Sequence, residues 1–192
     1  MSDQIIARNC APTLAGLKTG SMFTAEYTDR HTLARELFAL NTLLTKYGLR
    51  ALLLRCMKRR ALIYLYRPDA LEKDLLDPAA ADILRERGYH AADAKLCLGR
   101  LVRQFRQSES FPHEVGLFLG YPPEDVWGFI QSPHSGYRCV GCWKVYGDPE
   151  KAEKTFSRYR NCTKALCRAV ARGKTLEHLI VSPHPAAAGC RY

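Results

Sequence analysis

LRALLLRCMKRRALIYLYRPDALEKDL, residues 49–75, decides the fold. Two apolar runs, Leu49–Cys56 and Ala61–Arg67, are split by Met57-Lys58-Arg59-Arg60. Each run has the length of a strand, and a short polar break between two such runs is the sequence form of a β-hairpin. Neither run alternates apolar with polar residues, so both faces of these strands are expected to be covered. Beyond Arg67, Pro68 and Asp69 open a segment with helical spacing. Proline and acid suit the first turn of a helix, where an N–H is dispensable and negative charge is favoured.

The same arrangement recurs twice more. LIYLYRPDALEKDL (62–75), GLFLGYPPEDVWGF (116–129) and CWKVYGDPEKAEKTF (142–156) each read as a strand, an aromatic turn and a helix. Val115–Leu119 is uniformly apolar and is expected to be a central strand, with Trp143–Tyr146 as another. Strand-then-helix units imply a sheet with parallel pairs. The expected fold class is therefore α/β: a single domain with a mixed sheet of four to five strands, hairpin included, packed by helices.

Working outward, residues 1–9 form a short leading helix and 10–27 a loop with a short strand. Thr28 or Asp29 caps a helix carrying Leu33, Leu37, Leu40 and Leu44, which Gly48 stops. Asp77-Pro78 opens another that Gly88 closes, and Ala92–Gln107 forms a third. The last long helix starts after Gly147 and runs to Ala171. The domain is expected over 1–182, followed by a flexible tail over 183–192.

The chain has 192 residues, 47% of them apolar and 25% charged, an ordinary globular composition. No run approaches the roughly 18 apolar residues of a membrane span. The polar start Met1-Ser2-Asp3-Gln4 does not read as a secretory signal. These features place the protein in the cytoplasm. The net charge of +10 favours acidic partners, a phosphorylated cofactor or an acidic electron carrier among them. The arginines and lysines at 100, 103, 106, 151, 154, 158, 164, 168 and 172 mark solvated helix faces, and no nucleic-acid motif accompanies them.

Four constellations carry candidate chemistry. Cys139, Cys142, Cys162 and Cys167 have the spacing C-x2-C-x19-C-x4-C, which approaches a zinc ribbon. Cys162 and Cys167 fall about 140° apart on a helix, which favours packing over ligation. Cys142 shares strand parity with Lys144, whose charge would lower a thiol pKa. Next, His113 and Glu114 precede the apolar run 115–119. They point opposite ways, as an acid–base pair beside a cleft with other partners, or as a pair capping the sheet end. Third, the loop Ala15–Ser21 carries Lys18 between glycines and can cradle an anion through backbone N–H groups. Last, if the three units are parallel, Arg67, Tyr121 and Gly147 lie together at strand C-terminal ends, where open α/β sheets bind ligands. Five extended residues span about 17 Å, so His113 would then be too far from Tyr121 to share a site.

Cys10-Ala-Pro-Thr-Leu-Ala-Gly-Leu-Lys18, FPHEVGLFLGYPPEDVWGFI (111–130) and CVGCWKVYGDPEKAEKTFSRYRNC (139–162) resemble the bacterial domain-of-unknown-function family numbered 3793. The resemblance runs from about Cys10 to Cys167. It implies an association with anaerobic bacteria and with flavodoxin-like electron carriers, and no particular reaction. It also implies that the second CxxC position varies, often to tyrosine, which leaves Cys10, Cys139 and Cys162 as the shared thiols. Three functional classes follow. The first is a redox-associated or phosphorylated-cofactor-binding protein drawing on Cys10, Lys18, His113, Glu114, Cys139, Cys142 and Cys162. The others are a basic nucleic-acid-binding module and an enzyme with a His113/Glu114 acid–base site.

Overall fold

A computed structural model describes residues 1–108 and 110–182. The expected tail over 183–192 lies outside the described residues. The quoted stretch forms the predicted hairpin, β2 (Arg50–Met57) and β3 (Arg60–Tyr66). Strand β1 (Gly20–Glu26) pairs with the free side of β3, giving an antiparallel sheet of order β1-β3-β2. Ile63 is the centre of the register, facing Phe23 on one side and Leu53 on the other.

Alternation along β3 divides the core. Ala61, Ile63 and Leu65 face one layer, and Leu62, Tyr64 and Tyr66 the other. Both layers are helical, which is why the runs are apolar without a break. One layer holds α1 (Asp3–Leu14) and α2 (Arg30–Thr45). The other holds α3 (Pro68–Leu75), α4 (Pro78–Glu86), α5 (Ala94–Gln107), α6 (Val115–Phe118) and α7 (Pro123–Gln131). A β-bulge at Leu54 lets β2 insert one extra buried side chain between the pairs Leu53–Ile63 and Arg55–Leu62. The outer edge of β2 meets α2, where the Asn41 carboxamide donates to the Ala51 carbonyl (2.9 Å) and accepts from its N–H (2.8 Å).

A two-stranded ribbon, β4 (Cys139–Val140) and β5 (Lys144–Val145), stands apart from this sheet. It rests on the start of α8 (Pro149–Ala171), which packs against α1. A 3-10 turn, Leu176–Leu179, closes the described chain. Among the described residues no helix is long and apolar enough to cross a membrane.

Helix starts follow the local signals. Asp29, Asp77, Asp93 and Asp148 each accept a backbone N–H of the first turn, and proline opens α3, α4, α7 and α8. The α/β class and the hairpin stand as expected, with five strands among the described residues. The strands divide three and two, however, and every pairing is antiparallel.

Two segments depart from expectation. The leading helix continues through Pro12 to Leu14. An interior proline costs about 3 kcal/mol, but Ile6, Cys10 and Leu14 are fully buried, and full burial of one large apolar side chain contributes about 1.5–3 kcal/mol. Val115–Leu119 is one buried helical turn rather than a central strand. Gly120 at φ +72° ends it, with the Tyr121 N–H reaching the Gly116 carbonyl and the Gly120 N–H that of Leu117, both at 3.0 Å. That pair of bonds is the Schellman closure, which glycine makes without strain. The parallel strand–helix units therefore do not form.

Candidate functional site

Because 115–119 is coiled, residues that an extended strand would keep apart come together. A cavity of about 340 Å³ lies between α6, α7 and the ribbon. Met22 of β1 and Val115, Leu119 and Val126 form its apolar base. Phe111, Phe129, Tyr121 and Trp143 are its aromatic walls, and His113, Asp125, Cys142 and Lys144 its polar residues. Tyr121 and Trp143 stack at 4.6 Å with 26° between their planes, and His113 meets Phe129 edge-on at 5.0 Å. The Lys144 ammonium donates to the Pro133 carbonyl (2.5 Å) and lies 4.8 Å from the Tyr137 ring centre.

The ribbon is fixed by one buried carboxylate. Asp125 of α7 accepts from the Tyr146 and Gly147 amides (2.7 and 2.8 Å) with Oδ1 and from the Trp143 indole N–H (2.7 Å) with Oδ2. Asp125 lines the cavity, but both of its oxygens are engaged in holding Trp143 and the ribbon. Gly141 lets the ribbon tip approach α8, since a Cβ there would lie 2.2 Å from the Phe156 ring.

Cys142, at the ribbon tip, also borders a second cleft of about 340 Å³ lined by Lys18, Tyr159, Arg160 and Lys164. Lys18 reaches into it from the α1–β1 loop, 4.9 Å from the Tyr121 ring centre and 6.0 Å from that of Tyr159. Burial lowers its pKa to about 8, against the opposing influence of the thiols Cys142 and Cys10. Burial raises both Tyr121 and Tyr159 to about 12.

The predicted site residues therefore separate. Lys18, Tyr121 and Cys142 lie together, and His113 shares the aromatic-walled cavity with Tyr121, contrary to the expectation that a strand divides them. Arg67 is not at an anion site: its guanidinium donates to the carbonyls of Thr13 and Leu14 (both 2.8 Å) and Val181 (2.7 Å), tying the end of α1 to the C-terminal segment. The Gly147 amide is taken by Asp125. Glu114 is buried and accepts from the Tyr89 hydroxyl at 2.9 Å, so it pairs with α4's end and not with His113. In the Lys18 loop, two backbone donors and two hydroxyls are already engaged. The Gly16 and Leu17 amides bond to Thr13 and Pro12, Thr19 donates to Asp74, and Ser21 pairs with Thr13.

Among the described residues no three His, Cys, Asp or Glu side chains converge as metal ligands. Cys10 is fully buried and raised to about 12 by that burial. Burial also raises Cys142 and Cys162. Cys142 faces Lys18 and Arg160, whose opposing charges do not overcome desolvation, and Lys144 is not among its influences. Cys139 packs in the small core of Val145 and Phe156. The helix cations Lys151, Lys154, Arg158, Lys164, Arg168 and Arg172 are exposed along α8 and its end.

Sequence reasoning missed Trp143, Phe111, Phe129 and Tyr159 as site residues. The signal lay in the aromatic residues flanking the two turns, which read there only as strand and turn formers. A family model described as a protein of unknown function (DUF3793) matches residues 6–180. No curated protein and no solved structure matches the chain.

Proposed function

Starting from a chain that belongs to the DUF3793 family of proteins of unknown function, we propose that the protein binds a small planar molecule bearing an anionic group, of the phosphorylated-cofactor class. The observation that carries this reading is the cavity beside the stacked Tyr121–Trp143 pair, apolar at its base and aromatic at its walls. Ligand sites commonly combine an apolar lining with a few polar groups, at volumes from about 300 Å³ upward. A ring would lie against the aromatic walls, where offset stacking stabilises it by about 0.5–1.5 kcal/mol per pair. His113 and Lys144 border the same space and favour negative charge when protonated. The net charge of +10 supports the same choice of ligand.

Thiol redox chemistry has less support. The attacking species is the thiolate, and Cys10, Cys142 and Cys162 are all held toward the thiol form.

The test uses Trp143 as its own reporter, in a Trp127→Phe background that removes the other tryptophan. Flavin mononucleotide, pyridoxal 5′-phosphate and nicotinamide mononucleotide are titrated by fluorescence and checked by equilibrium dialysis. Binding of at least one at micromolar Kd, weakened about tenfold by Tyr121→Ala, is expected. Failure of all three to bind below about 1 mM would refute the reading.

A further inference from the structure

Lys18 is the most unusual cation in the described chain. Its side chain is half-buried, and no carboxylate lies within ion-pairing distance of it among the described residues. Two tyrosine rings flank its ammonium, and the Cys142 thiol borders the same cleft. It lines a concave space together with Arg160 and Lys164 of α8, and unlike those two exposed side chains it is half-buried. A structural lysine in such a position normally has a carboxylate partner, because burying an unpaired ammonium is costly. The aromatic rings offset part of that cost, by roughly 1–2 kcal/mol each at this depth.

We infer that Lys18 is a Schiff-base-forming amine for a small anionic carbonyl compound, with the carbonyl carbon at Lys18 and the anionic group toward Arg160 and Lys164. The neutral Nζ attacks the carbonyl carbon, an N–C bond forms, and the C=O π pair moves to oxygen. That oxygen takes a proton to give the carbinolamine. Nitrogen gives up its two hydrogens over the sequence, and the oxygen departs as water while the C=N bond forms. Amine and carbonyl thus yield imine and water, with no oxidant or reductant. The desolvation that lowers Lys18 to about 8 supplies a neutral fraction at physiological pH that an exposed lysine lacks. The titratable or charged groups facing Lys18 are Cys10 of α1, Cys142 of the ribbon, Tyr121 between α6 and α7, and Tyr159, Arg160 and Lys164 of α8. The inference does not depend on what fills the cavity beside Tyr121 and Trp143. A protein that binds none of the planar ligands still forms the imine.

The test is competitive labelling of the full chain with glyoxylate, an anionic aldehyde, and propanal, a neutral one. Imines are trapped by cyanoborohydride and located by peptide mass spectrometry. Lys18 is expected to react about tenfold or more faster than exposed Lys154 at pH 7.5, with a pH midpoint near 8 instead of near 10.5. Lys18→Arg keeps the positive charge beside Tyr121 and should abolish the fast adduct. Arg160→Ala with Lys164→Ala should lower the glyoxylate-to-propanal ratio by about threefold or more while propanal still labels Lys18. Labelling of Lys18 no faster than Lys154, a midpoint near 10.5, or a fast adduct that survives Lys18→Arg overturns the assignment.

Discussion

Replacing Asp125 by asparagine tests whether one buried carboxylate holds the ribbon against α7. The side chain is 3% exposed and accepts three hydrogen bonds: two from backbone amides, at Tyr146 and Gly147, and one from the Trp143 indole. Asparagine keeps one oxygen, which can continue to accept from the two amides without the help of charge. Its NH2 then faces the indole N–H, donor against donor. Hydrogen bonds to a charged acceptor contribute about 1.5–3 kcal/mol, and neutral ones about 1. Losing the indole bond and weakening the other two gives an expected cost of about 2–3 kcal/mol for Asp125→Asn. Asp125→Ala, which strands all three donors, should cost about 4 kcal/mol or more. Trp143→Phe removes the opposed donor, so the double variant Asp125→Asn/Trp143→Phe should cost less than the two single changes added together, by about 1 kcal/mol. Urea unfolding followed by far-UV circular dichroism gives the global term, and amide hydrogen exchange at Tyr146 and Gly147 detects local release of the ribbon. An Asp125→Asn variant within 0.5 kcal/mol of the parent, with those two amides equally protected, would refute the reasoning.

Three further outcomes are expected. Lys58 turns the β2–β3 hairpin at φ +47°, so Lys58→Gly should stabilise by about 0.5–1 kcal/mol, read as a higher urea midpoint. Arg67→Met removes a fork that satisfies three carbonyls and should cost about 3 kcal/mol or more by the same assay, with Arg67→Lys only partly restoring it. Lys18 binds its proton less tightly folded than unfolded, so between pH 8 and 10.5 the unfolded chain holds more protons and this residue's contribution to stability rises with pH. The parent minus Lys18→Met difference in unfolding free energy should accordingly rise by about 2 kcal/mol across that window, after allowance for residual solvent contact, and a flat difference would count against a desolvated Lys18.

Much of the fold is legible because local signals and tertiary packing agree. Asp29, Asp77 and Asp148 cap the helices that their positions announce, and the hairpin is set by two apolar runs and a break. The segment 115–119 was not legible as helix. Five apolar residues have no polar member to reveal a period, and only the later Gly120 and Pro122 distinguish a helical end from a strand end. That one ambiguity propagates into the site. Read as extended, it separates His113 from Tyr121; coiled, it seats both on one cavity. Lys18 was legible as a candidate, but its surroundings were not. The loop's glycines suggested backbone donors, whereas the side-chain amine lies against aromatic rings contributed from Tyr121 and Tyr159, far along the chain. No local spacing encodes such a meeting.

The bond pair between Asn41 and Ala51 has a consequence for how this sheet resists growth. A carboxamide presents one donor and one acceptor at nearly the spacing of a peptide group, so Asn41 fills the place where the first residue of a fourth strand would bond. Strand addition along β2 must therefore begin by displacing a side chain tethered to α2, not by simple encounter with an open edge. That places a barrier in front of fibril-like stacking at one of the sheet's two outer strands. The cost of maintaining it is a single residue, whose side chain joins α2 to the edge of β2.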